Sequence, residues 1–126
     1  MEFGIHAFVW TEGREQVGLE AAMESAKEAG FSLFELPGLD PKSIDIKRLA
    51  KHAGELKLKL GASAGLRPDL DLTSSDPECV RRGEAFLNEA VCVARDLGST
   101  QLSGPIFSAH QKFPTFSSTT HCTHPG

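Results

Sequence analysis

Apolar positions along the chain alternate between two spacings, short continuous runs and longer stretches with a period near 3.6. Residues 3–10 (FGIHAFVW) are aromatic and β-branched enough to predict a buried strand. After Gly13 breaks the chain, Leu19, Ala22, Met23 and Ala26 fall at i, i+3, i+4 and i+7, the spacing of one helix face. Glu20, Glu24, Lys27 and Glu28 take the opposite face, and Gly30 reads as the helix end. Residues 31–36 (FSLFEL) predict a second strand, stopped by Pro37 and Gly38. A second helix is expected over 43–56, capped by Asp40 or Ser43, with Ile46, Leu49, Ala50 and Ala53 as its buried stripe. Residues 58–65 (LKLGASAG) predict a third strand that ends in small side chains and leaves space there. A turn-rich loop follows, with Thr73, Ser74 or Ser75 as the cap before Asp76 and Pro77. The third helix is the longest, with Val80, Gly83, Leu87, Ala90, Val91, Ala94 and Leu97 on one face. Residues 100–107 (TQLSGPIF) predict a fourth strand, weakened by Gly104 and Pro105.

Strands that alternate with helices in this way predict an α/β fold with a parallel sheet. A complete (β/α)8 barrel needs about 250 residues. This chain has 126, so three βα units plus a fourth strand amount to about half of one. Residues 1–112 are expected to form that partial barrel. From Phe113 onward the sequence is rich in Ser and Thr and shows neither period, so residues 113–126 are expected to be a disordered tail. The shift in composition near Lys112 suggests an altered reading frame, an alternative exon or an early stop. Ligands of such folds bind at the C-terminal ends of the strands. Four strand ends would supply only part of such a site.

A net charge of −4, with no basic stripe, argues against a nucleic-acid partner. No apolar run approaches the roughly 18 residues of a membrane span, and the N-terminus lacks the pattern of a signal peptide. Cys79, Cys92 and Cys122 show no metal-type pairing and no disulfide framework. The first two are expected to be buried thiols in a reducing, cytoplasmic setting. His121, Cys122 and His124 form a close cluster of zinc-type ligands but lack a completing pair. Asp69 and Asp71 share only their spacing with a calcium loop. There is no Walker A loop and no GxGxxG fingerprint.

The opening FGIHAFVW, the pairing of Ala29-Gly30-Phe31 with Leu33-Phe34-Glu35, Gly65-Leu66 at the end of the third strand, and Ser108-Ala109-His110 after the fourth together resemble the xylose isomerase-like barrel superfamily. Within it, the nearest likeness is to the ketose 3-epimerases of D-tagatose and D-psicose type, or sugar phosphate isomerase/epimerases. The resemblance covers residues 2–112. It implies a (β/α)8 barrel that epimerises a ketose at C3 through an enediolate, assisted by Mn²⁺ or Mg²⁺. Such chemistry needs a base on each face of the carbon and a Lewis acid on the neighbouring oxygens. In the family, two glutamates, an aspartate and a histidine from the later strands hold the metal. This sequence has no counterpart to those strands, so no metal site and no cofactor are expected in the chain itself, and it is expected to be inactive alone.

Five residues are candidates for sugar contact. His6 lies mid-strand at a position similar to a pocket contact of the epimerases; the alternative is an interior histidine satisfied by a neighbour. Trp10 would end the first strand as a wall for a sugar ring, or serve in packing. Under strict alternation Phe8 shares its side and is read as core. Glu35 sits late in an apolar strand, where an ionised side chain is costly unless paired. It is read as binding a sugar hydroxyl or orienting a neighbour, with a salt bridge as the alternative. Ser63 matches a small pocket residue in the resemblance. His110 would face the pocket mouth from the loop after the fourth strand, or stand as an exposed loop histidine. Two other readings compete with the enzyme: a non-catalytic half-barrel acting as a binding or interaction piece, and a related multi-zinc nuclease barrel, which the negative charge disfavours. Two open strand edges predict a homo-oligomer or an aggregation-prone chain.

Overall fold

The computed structural model describes residues 1–110 and 112. Its elements run β1 (Gly4–His6), a 3-10 turn (Ala7–Val9), α1 (Gln16–Glu28), β2 (Leu33–Leu36), α2 (Ile46–Glu55) and β3 (Lys59–Ser63). A second 3-10 turn (Pro68–Leu70), α3 (Pro77–Asp96) and β4 (Leu102–Ser103) follow. The four strands form one sheet in the order β1-β2-β3-β4, every pair parallel. This is the α/β half-barrel that the alternation of periods predicts. The expected tail, residues 113–126, lies outside the described residues.

The helices cover one face of the sheet. Phe34 and Leu36 alternate inward from β2 and are fully buried with Leu19 and Met23 of α1 and Leu49 of α2. Burying a side chain of this size stabilises the fold by about 1.5–3 kcal/mol. All four residues of the predicted α1 stripe are buried. In α2 the stripe holds at Ile46, Leu49 and Ala53, while Ala50 is only half-buried.

Several boundaries differ from expectation, each for a local reason. The first strand ends at His6, because the His6 ring accepts the Phe8 N–H and so caps a 3-10 turn. Strict alternation therefore stops there: Phe8, expected in the core, is 47% exposed with its ring 4.8 Å from that of His6, and Trp10 lies beyond the turn. Helix α2 is capped by Asp45, whose carboxylate accepts the Arg48 N–H at 3.0 Å. Asp40 instead closes its own turn onto Lys42, Ser43 and Ile44. Helix α3 is capped by Asp76, with Pro77 in its first turn, while Ser74 accepts the Asp76 N–H.

The predicted stripe of α3 holds in part: Gly83, Ala94 and Leu97 are buried and Val80, Leu87 and Ala90 half-buried, but Cys79 and Val93 also face inward and Val91 is exposed. Gly83 sets the approach: a Cβ there would collide with the Leu70 carbonyl of the second 3-10 turn. Cys92 is exposed, contrary to the expected burial of both helix thiols, because it lies beside Val91 on the outer side. Strand β4 shortens to two residues because Gly104 turns at φ +120°, with no room for a Cβ against the Ala64 carbonyl. Pairing resumes briefly as a parallel bridge between Leu66 and Ala109.

Candidate functional site

The sheet face away from the helices carries a polar row at the strand ends. The parallel register sets His6 opposite Glu35 and Glu35 opposite Gly61. Alternation buries Phe34 and Leu36 under the helices and turns Leu33 and Glu35 to the other face. Gly61 contributes no side chain to that row, and the Glu35 Cγ lies 3.7 Å from where its Cβ would stand. The vacated width lets Glu35 reach both ways. Its Oε1 lies 3.8 Å from His6 Nε2, and its Oε2 accepts the Ser103 hydroxyl at 3.4 Å. Ser63, two residues beyond Gly61, lies 3.1 Å from His6 Nε2. Each of the four strands thus supplies one polar side chain to a continuous row.

The partners fix the direction of every proton in this row. The Ser63 hydroxyl donates to the Leu36 carbonyl at 3.1 Å, so its oxygen is an acceptor toward His6. The Phe8 N–H donates to His6 Nδ1 at 3.1 Å, so Nδ1 carries no proton. Hence Nε2 holds the hydrogen and donates it to Ser63, and the imidazole is neutral. The His6 and Glu35 side chains are 30% and 38% exposed, open enough for a ligand to compete for them. A row of one N–H donor, one carboxylate and two hydroxyls offers both donors and acceptors, as the hydroxyls of a sugar require.

The five sequence candidates divide into two groups. His6, Glu35 and Ser63 come together. Trp10 does not join them: it follows the 3-10 turn, and its ring packs edge-on against Phe31 at 5.9 Å. His110 is exposed, its N–H donating to the Leu66 carbonyl at 2.8 Å beyond the end of β3. Ser103 was missed by sequence reading. Its signal, a strand register shared with Ser63, is masked by the Gly104-Pro105 break that follows it.

A cleft of about 410 Å³ opens on the helix side of the sheet, between the β2–α2 loop and α3. Arg14, Asp40 and Lys42 rim it and Phe86 and Val93 line it. Of the polar row it touches only Ser63, so this cleft and the polar row are largely separate features.

The described residues do not fit Mn²⁺ or Mg²⁺. These ions take mostly oxygen ligands in sets of about six. No group of three or more His, Cys, Asp or Glu converges among the described residues. Glu35 is a single carboxylate, and both nitrogens of its neighbour His6 are already engaged. The His121, Cys122 and His124 cluster lies outside the described residues. No helix among the described residues is long and apolar enough to cross a membrane.

No protein-family profile matches the chain. It is 41% identical over 107 residues to an L-ribulose 3-epimerase of Mesorhizobium japonicum, covering 85% of this chain and 36% of that protein. It is 39% identical over 113 residues to a ketose 3-epimerase of Arthrobacter globiformis, covering 90% and 39%. Among solved structures, an L-ribulose 3-epimerase superposes with a TM-score of 0.84 at 38% identity, over 91% of this chain and 40% of that one. A D-allulose 3-epimerase from Methylomonas sp., solved with D-allulose, superposes with a TM-score of 0.84 at 35% identity, over 94% and 41%. The chain therefore spans about two-fifths of the length of the relatives it matches. Along that length it is a homologue of the ketose 3-epimerases and carries one half of their (β/α)8 barrel.

Proposed function

We propose that this chain forms the sugar-holding half of a ketose 3-epimerase site. His6, Glu35 and Ser63 bind ketose hydroxyls on the inner face of the strands, and His110 closes the mouth. The observation that carries this reading is the row of four polar side chains, one from each strand, at the strand ends of a chain 41% identical to an L-ribulose 3-epimerase. Glu35 accepts from a sugar hydroxyl, and the next sugar oxygen replaces Ser63 as the acceptor of the His6 Nε2–H. The Phe8 N–H, donated to Nδ1, holds the imidazole in the tautomer that makes this donation. These contacts orient the ketose and do not themselves move the proton at C3.

Turnover further requires a divalent metal and a base on each face of C3. On this reading the described residues hold the sugar, and epimerisation draws on groups beyond them. The test is titration of the purified chain with L-ribulose and D-allulose, followed by NMR, with Mn²⁺ present and absent. The expected result is binding that perturbs His6 and Glu35, weakens in Glu35→Gln, and leaves the sugar unconverted. Absence of binding to either ketose would refute the sugar reading. Conversion by the chain alone would refute its dependence on further residues.

A further inference from the structure

Asp71 has a place in this fold that its superficial likeness to a calcium-loop ligand does not suggest. It is the one charged side chain among the described residues that is buried, at 5% exposure. Its Oδ1 accepts the Thr73 N–H at 2.9 Å, the Thr73 hydroxyl at 2.7 Å and the Ala109 N–H at 3.1 Å. Its Oδ2 accepts the Lys112 ammonium at 2.7 Å, and that ammonium also donates to Thr73 Oγ1 at 2.8 Å. One carboxylate thus ties the β3–α3 loop to a segment 38 residues further along the chain. Buried polar groups of this kind are costly unless fully paired, and here both oxygens are.

His110 sits between the two anchors. Ala109 on one side and Lys112 on the other are bonded to Asp71, and the His110 N–H donates to the Leu66 carbonyl at 2.8 Å. The parallel bridge between Leu66 and Ala109 registers this segment against the extension of β3. Without the carboxylate, the segment after the two-residue β4 would keep only isolated backbone bonds to the rest of the sheet. The Lys112 ammonium, followed by Thr73, holds the Asp71 carboxyl well below the usual carboxylate range, so the anchor stays ionised at neutral pH.

We propose that Asp71 is a positioning residue that fixes His110 at the C-terminal mouth of the strands, where the ketose docks. The docking half of this statement rests on the sugar reading above; the fixing of His110 does not. Asp71→Asn removes the charge facing Lys112, and Lys112→Met removes the same bond from the half-exposed side.

Hydrogen exchange and His ring resonances of the intact chain test the fixing, and L-ribulose titration tests its consequence. The Ala109 and His110 amides are expected to exchange about tenfold faster in either variant, as loss of a charged hydrogen bond allows. The His110 ring resonances shift, while those of His6 stay in place. The L-ribulose Kd rises several-fold in Asp71→Asn, and by no more in the double variant with His110→Ala than in His110→Ala alone. Unchanged exchange and unchanged His110 resonances would overturn the proposal. So would an Asp71→Asn loss that persists undiminished without His110. If Asp71→Asn does not fold, Lys112→Met decides by the same readouts. If wild type does not bind L-ribulose, the sugar reading fails while exchange still decides the positioning.

Discussion

Replacing Ser63 by Ala tests the proton order of the polar row directly. The substitution removes two hydrogen bonds, the one Ser63 donates to the Leu36 carbonyl and the one it accepts from His6 Nε2–H. A neutral hydrogen bond contributes a net 0.5–1.5 kcal/mol, so losing both would cost about 1–3 kcal/mol. Two features reduce that figure. The His6 side chain is 30% exposed, so water replaces part of the lost contact, and Glu35 Oε1 already lies 3.8 Å from the same nitrogen. The expected destabilisation is therefore about 1–2 kcal/mol, read as a lower urea midpoint at unchanged slope. The more decisive assay is long-range ¹⁵N NMR of the His6 ring in the wild type, which reports which nitrogen carries the proton. A protonated Nδ1 would refute the assignment, because the Phe8 N–H would then face another donor. A variant as stable as wild type would show that the Ser63 bonds contribute nothing in solution.

Three further outcomes follow from other parts of the fold. Gly83→Ala gains about 1 kcal/mol of helix propensity but drives a Cβ into the Leu70 backbone, an overpacking cost of typically 1–3 kcal/mol or more. Thermal unfolding should show a net loss, and a rise in Tm would show that α3 moves away freely. Because the folded-state Asp71 carboxyl is held below its ordinary range, the unfolded state binds more protons in acid. That contribution is full at neutral pH and is lost as pH falls below about 4, where an unfolded Asp takes up its proton. Asp71→Asn should therefore flatten the acid limb of a stability-versus-pH curve, and an unchanged limb would contradict the pairing. The purified chain is expected to self-associate through its β1 and β4 edges, helped by Phe3 just before β1 and Phe107 in the segment after β4, which are 59% and 74% exposed. A concentration-independent monomer in sedimentation velocity would refute this.

The fold was largely legible because its evidence is periodic. Leu19, Ala22, Met23 and Ala26 sit at helical spacing and are all buried, since α1 packs on one sheet face along its whole length. The misreadings occur where a single contact overrides a period. A strand from residue 3 to residue 10 fits propensity, but one bond from the Phe8 N–H to the His6 ring ends it at residue 6. That bond also misplaced Trp10, whose proposed role depended on the strand continuing. On α3, Gly83 was placed on the buried face, but its close approach to the Leu70 backbone is a tertiary contact with no signature in the helix itself. His6, Glu35 and Ser63, which the structure brings together, stood out in the sequence because each is a polar interruption of an apolar strand. Ser103 shares that pattern but sits in a two-residue strand that offers no period to read. Asp71 was visible as a residue but not as an anchor, because its partners Ala109 and Lys112 lie about forty residues away.

The polar row also bears on how a complete barrel would assemble. Closing the sheet would bury its inner face and strip water from Glu35 and His6, and an unpaired carboxylate there would oppose closure. In this half the row is already partnered within itself: His6 faces Ser63 and Glu35, Ser103 faces Glu35, and Ser63 bonds to Leu36. The remaining strands therefore close over groups whose hydrogen bonds are largely made, and the desolvation cost falls on the acceptor capacity left on Glu35. That capacity is also what a sugar hydroxyl would use. The carboxylate that resists closure when empty is satisfied when a ketose is bound, so ligand and the remaining strands should favour one another thermodynamically. On the sugar reading proposed above, a half with a preset polar row is a template for closure, and Glu35→Gln, which removes the charge while keeping the shape, should ease closure while weakening the sugar's contribution to it.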